Sequence, residues 1–82
     1  MPNRSRESIT SQILGLCLSP VKKTAIMYGA ALSYAQLQMY LRLLQESGLI
    51  GKINEDGKDF WLITSKGREY LQAYEAVKKI LT

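Results

Sequence analysis

Residues 24–67 read TAIMYGAALSYAQLQMYLRLLQESGLIGKINEDGKDFWLITSKG, and their order decides the fold. The stretch divides into a short helix, a turn of small residues, a longer amphipathic helix, two short apolar strands and the start of another helix. The longer helix carries the clearest signal. Ser33-Tyr34-Ala35-Gln36 has the form of a capping box, with Ser33 as the N-cap and Gln36 reaching back. Leu37, Leu41 and Leu44 follow at i, i+4 and i+7 and mark one inward face, flanked by Tyr34 and Tyr40. The opposite arc carries Ala35, Gln38, Met39, Arg42 and Glu46, and Gly48 is expected to close the helix.

Working outward, residues 49–54 and 58–63 read as strands around Glu55-Asp56-Gly57, because Asp-Gly between apolar runs favours a hairpin. The run Phe60-Trp61-Leu62-Ile63 is apolar on both strand faces. One face is expected against the helices, the other under the last helix or a second subunit. Thr64 is placed as the cap of a final helix through residue 81. In that helix Tyr70, Tyr74, Val77 and Leu81 step by four, three and four, a heptad-like seam. The seam reads either as a dimer interface or as a face folded onto its own core. The dimer is favoured, because so small a core benefits from a partner.

Upstream, residues 23–28 read as a short helix with Ile26 and Met27 inward and Gly29 as a left-handed stop. Ala30, Ala31 and Leu32 then form the turn. Residues 5–18 read as a first helix. Ile9, Ile13, Leu16 and Cys17 fall at helical spacing, Leu14 and Leu18 widen the stripe, Ser5 serves as N-cap and Ser19-Pro20 ends it. The fold expected is mainly α with a small β-hairpin: a winged helix-turn-helix with a C-terminal helix suited to dimerisation. Residues 1–64 are read as the winged unit and 65–82 as the dimerisation helix of the same compact domain.

Composition limits the chemistry. The 82 residues allow one small domain, and the net charge of +4 favours an anionic partner, though weakly. There is no His, which removes the usual zinc ligands and the usual general base. Cys17 is the single cysteine, so no intrachain disulfide is possible and a reducing compartment is expected. Its place in an apolar helix makes it a core residue. No phosphate-binding loop or nucleotide fingerprint occurs, and the carboxylates Glu55, Asp56 and Asp59 lie on a solvated hairpin. No catalytic residue, metal site, cofactor or small-molecule ligand is expected. No apolar run approaches membrane length, and no apolar signal region follows MPNRSRES, so an intracellular protein is expected.

The segment KKTAIMYGAALSYAQLQMYLRLLQESGLI, followed by WLITSKGREYL, resembles the small archaeal winged-helix DNA-binding proteins. These are dimeric chromatin-associated and regulator-like proteins whose last helix forms an antiparallel coiled coil. The resemblance covers nearly the whole chain. It implies a cytoplasmic, nucleoid-associated homodimer that binds double-stranded DNA. In that reading Gln38 faces adenine, Arg42 faces guanine or a phosphate, and Ala35 and Met39 lie at the groove. Ser33 and Tyr34 meet backbone phosphates at the start of the reading helix, as do Lys22, Lys23 and Thr24 at the start of the preceding one. Lys52 and Lys58 meet phosphates from the wing. Each basic residue has a plainer reading as a solvated surface charge, and Arg4 and Arg6 read equally as a basic arm or a frayed terminus. Two features depart from the family. The last helix is short, and the wing's Glu55, Asp56 and Asp59 offset its two lysines. These acids keep open a protein-docking module that does not bind DNA.

Overall fold

The computed structural model describes residues 4–81. The first three residues and Thr82, which the expected domain limits include, lie outside the described residues. The chain runs α1 (Arg6–Leu16), α2 (Lys23–Gly29), α3 (Tyr34–Glu46), β1 (Ile50–Glu55), β2 (Lys58–Ile63) and α4 (Ser65–Leu81). This is the mainly helical fold with one hairpin that the residues lead one to expect.

Local caps set most of the boundaries. Ser5 Oγ accepts the Ser8 amide at 3.0 Å and opens α1. The capping box of α3 is complete: Ser33 Oγ accepts the Gln36 amide at 3.2 Å, and Gln36 Oε1 accepts the Ser33 amide at 3.0 Å. Gly48, with φ +76°, closes α3 in a Schellman arrangement, the Leu49 amide reaching Leu44 O and the Gly48 amide reaching Gln45 O. Thr64 joins two helix ends, because its hydroxyl donates to Gly48 O at 2.6 Å and accepts the Gly67 amide at 3.0 Å. Lys66 Nζ donates to Ser47 O at 2.8 Å, a cation at the carbonyl end of α3.

The hairpin is antiparallel with Glu55 opposite Lys58 and Ile50 opposite Ile63. Its loop is the two residues Asp56 and Gly57, both at positive φ, which matches a turn whose twist follows that of the strands. Glu55 therefore belongs to β1, which runs one residue later than the 49–54 expected. Val21 adds a third, single-bridge strand by pairing with Trp61 through bonds of 3.0 and 2.7 Å. The wing is thus tied to the connection between α1 and α2.

That tie explains a correction to α1, which ends at Leu16 rather than at residue 18. The Cys17 carbonyl accepts the Ile63 amide at 2.8 Å, so the chain leaves the helix at Cys17 to meet β2. Leu18 is exposed in consequence and does not widen the apolar stripe. A second correction concerns α2. Gly29 is helical, and the left-handed residue is Ala31, with φ +53°. Gly29 serves close approach instead, since a Cβ there would lie 2.8 Å from both methyls of Leu16.

The core joins Ile9, Ile13, Leu14 and Cys17 of the α1 segment to Ile26, to Leu37, Tyr40, Leu41 and Leu44 of α3, and to Trp61 and Ile63 of β2. Tyr40 is buried in it, while Tyr34, its expected companion beside the stripe, is exposed. Burial pushes the Cys17 thiol up to about 11, which leaves it protonated and inert at neutral pH. Trp61 and Ile63 fill the inner face of β2, while Phe60 and Leu62 are half-buried on the other. α4 packs on α1 and β2 through its first turns, where Gly67 is buried and Tyr70 and Leu71 rest on the core. Beyond Tyr74 it projects, and Val77, Ile80 and Leu81 are exposed.

Candidate nucleic-acid interface

α2 and α3 meet through the turn at 30–33, which sets the pose of α3. Ala30 and Leu32 are buried beneath this turn, and the Leu32 amide reaches Met27 O at 2.9 Å. From there α3 buries Leu37, Tyr40, Leu41 and Leu44. The helical period then leaves Ala35, Gln38, Met39, Arg42 and Glu46 on the exposed face, as expected.

This face is tied to the start of α2 by Tyr34. Lys23 Nζ lies 5.8 Å from the centre of the Tyr34 ring, a cation–π approach. The Tyr34 hydroxyl accepts Gln38 Nε2 at 2.7 Å. Lys23, Tyr34 and Gln38 form a chain from one helix to the next. The Ser33 hydroxyl accepts the Gln36 amide in the capping box.

Two open clefts lie beside this chain. The larger, about 670 Å³, runs between α3 and the wing and is lined by Lys23, Gln38, Leu41, Arg42, Gln45, Glu46, Lys52, Asp59 and Trp61. The smaller, about 340 Å³, lies between the start of α2 and the wing and is lined by Lys22, Lys23, Thr24, Lys58, Asp59 and Trp61. The structure therefore brings together Lys22, Lys23, Thr24, Gln38, Arg42, Lys52 and Lys58. Ser33, Tyr34, Ala35 and Met39 lie outside both clefts. Leu41, Gln45, Glu46, Asp59 and Trp61 also line these walls and are not among the expected site residues. For Asp59 a signal was present, since it stands opposite Asn54 in the hairpin register and two pairs from Lys52, on the same face. Trp61 has its Nε1 buried with no hydrogen-bond partner among the described residues.

On the wing, Asp59 holds two partners. Its Oδ1 accepts Asn54 Nδ2 at 2.9 Å, and its Oδ2 lies 4.0 Å from Lys52 Nζ. Arg4 takes neither of the two roles open to it. Its guanidinium donates to Gln12 Oε1 at 2.7 Å and to the carbonyls of Ala30 and Ala31 at 2.6 and 3.1 Å. It thus clamps the turn between α2 and α3, with its charge at the carbonyl end of α2.

A separate apolar groove lies between α1 and α4. It is lined by Glu7, Tyr70, Ala73, Tyr74 and Val77. Burial, and then the nearby Glu7 and Tyr74, push the Tyr70 phenol above its ordinary range, against a hydrogen bond with Thr10. Among the described residues no group of three or more acidic or cysteine side chains could hold a metal ion, and no helix is long and apolar enough to cross a membrane.

A two-stranded wing, a helix-turn-helix and an open cationic cleft between them define a class. The chain belongs to the winged helix-turn-helix family, whose model matches residues 3–82. Among solved structures it is similar to Sso10a-2, a DNA-binding protein from Sulfolobus solfataricus, at 30% identity and a TM-score of 0.85, over 94% of this chain and 81% of that one. The fold is also that of MepR, a transcription regulator of the Staphylococcus aureus multidrug efflux pump MepA, at 14% identity and a TM-score of 0.80, over 96% of this chain and 61% of that one. NadR, solved in complex with 4-hydroxyphenylacetate, shares the fold at 16% identity and a TM-score of 0.64, over 95% of this chain and 63% of that one. No curated protein matches the sequence.

Proposed function

We propose that this protein binds double-stranded DNA as a two-fold dimer, acting as a transcriptional regulator or a chromatin-type architectural factor. α3 enters the major groove, where Gln38 and Arg42 supply the sequence preference and Ala35 and Met39 meet the groove floor. Lys22, Lys23, Lys52 and Lys58 neutralise phosphates on either side, with Thr24, Ser33 and Tyr34 on the backbone. The reading rests on one observation. Gln38 and Arg42, on the exposed face of α3, line the same cleft as Lys23 and Lys52. Family membership and the likeness to the DNA-binding Sso10a-2 support it.

The dimer pairs α4 with its symmetry mate. Tyr70 and Tyr74 form the base of the seam, and the exposed Val77 and Leu81 meet the partner.

A fluorescence-anisotropy titration against random duplex DNA at two salt concentrations tests the reading. Affinity should fall steeply with salt, with a log–log slope of about −0.9 for each phosphate neutralised. Arg42→Ala should weaken binding while leaving the circular dichroism spectrum intact. Unchanged affinity in that variant removes α3 from the reading role. Absence of binding at low salt turns the assignment towards a protein-docking module, which the acidic wing also suits.

A further inference from the structure

One carboxylate stands in the walls of both cationic clefts. Asp59 lines one with Lys22, Lys23 and Lys58, and the other with Lys23, Arg42, Lys52 and a second acid, Glu46. Asn54 Nδ2 donates to one of the Asp59 oxygens at 2.9 Å, which favours this orientation of the carboxylate. Its second oxygen lies 4.0 Å from Lys52 Nζ. A phosphate seated between α3 and the wing would meet this charge, and Lys52 would have to leave Asp59 to neutralise that phosphate.

We propose that Asp59 is a specificity-determining residue that holds down phosphate-driven, sequence-independent binding. The inference rests on the DNA-binding reading above. Electrostatic attraction to phosphates is the same for every sequence, whereas base contacts differ. Discrimination is the ratio of the two affinities. A negative charge beside the phosphate path lowers the common affinity. Gln38 and Arg42 are left to decide which duplexes are held. Asp59 does this in two ways, by repelling the phosphate directly and by occupying Lys52.

Asp59→Asn isolates the charge, because the amide oxygen still accepts from Asn54 and the volume is nearly unchanged. Binding to random duplex DNA is measured by anisotropy across a salt series, with circular dichroism confirming the fold of each variant. Asp59→Asn should tighten binding about three- to tenfold at low salt. It should also steepen the log–log salt slope by about 0.9 as Lys52 takes up a phosphate. In a Lys52→Ala background the same change should no longer steepen the slope. Asp56→Asn, at the turn and in neither cleft wall, makes the same change in net charge and should tighten binding less.

Equal gains from Asp56→Asn and Asp59→Asn would overturn the proposal, since net charge alone would explain both. So would an Asp59→Asn protein that binds no more tightly than the parent while the parent binds with a steep salt dependence. A parent protein that fails to bind at low salt would instead remove the DNA-binding reading, and this inference with it.

Discussion

Ala31 shows what a single residue contributes to the pose of α3. It stands at φ +53°, where a Cβ crowds the following carbonyl. It is held there because α2 must stop and α3 must start within four residues. The Ala31 amide reaches Tyr28 O at 3.2 Å and the Leu32 amide reaches Met27 O at 2.9 Å, which satisfies the last carbonyls of α2. Arg4 then bonds the Ala30 and Ala31 carbonyls from outside. The Ala31 side chain is exposed, so removing its methyl forfeits no core contact. Relief of the left-handed strain, about 1–2 kcal/mol, exceeds the extra freedom a glycine adds to the unfolded chain, about 0.4–1 kcal/mol. Ala31→Gly should therefore stabilise the protein by about 0.5–1 kcal/mol, read as a melting temperature a few degrees higher in a domain of this size. A lower melting temperature would mean that the turn stores no strain at this residue.

At the scale of elements, what was legible in the sequence was local. Ser5, the Ser33–Gln36 box, Gly48, the Asp56-Gly57 turn and Thr64 each act within a few residues of the boundary they set, so the order of helices and strands could be read from spacing alone. The exposed arc of α3 was legible for the same reason, since the burial of Leu37, Leu41 and Leu44 dictates what faces outward. Contacts between distant segments were not legible. The early end of α1 depends on Ile63 reaching the Cys17 carbonyl, and the clamp by Arg4 spans more than twenty residues. Gly67 belongs with these. It sits in the first turn of α4, where propensity alone favours alanine by about 1 kcal/mol. Yet a Cβ there would collide with the Leu49 carbonyl oxygen and lie 2.6 Å from Ile63 Cγ1. One obstacle is backbone and the other a buried side chain, so neither yields cheaply, and overpacking of this kind costs about 1–3 kcal/mol. Gly67→Ala should thus destabilise by about 1–2 kcal/mol, measured as a lower urea midpoint. A midpoint that rises would show that α4 has room to move off Leu49 and β2, and the seating of the C-terminal helix would need revision.

At the scale of the whole molecule, the two candidate surfaces are built from different chemistry. The cleft between α3 and the wing gathers lysines, an arginine, glutamines and the acids Glu46 and Asp59, whereas α4 ends in apolar side chains that the core does not cover. Val77 is 55% exposed, Ile80 83% and Leu81 79%. The groove of Tyr70, Ala73, Tyr74 and Val77 runs up to them. Contiguous exposed apolar residues of this kind mark an interaction surface. A symmetry mate laid along it would bury these residues and fix two reading helices relative to one another. If so, dimerisation and DNA binding are linked. The second half-site is engaged at the high effective concentration set by the first, and avidity rises without any new contact. Replacing Tyr74 and Val77 with glutamate should split the dimer, because four charges would then face one another across an apolar seam. Light scattering should give twice the chain mass for the parent protein and the single chain mass for the variant. The variant's melting transition shows whether its own fold has survived the change at Tyr74, which is half-buried. A folded monomer of the variant should bind random duplex DNA at least tenfold more weakly than the parent while keeping the intrinsic contacts of one α3. A variant that keeps the doubled mass would place the interface elsewhere. A parent protein of single-chain mass at every concentration would remove the dimer and leave each winged unit to bind alone.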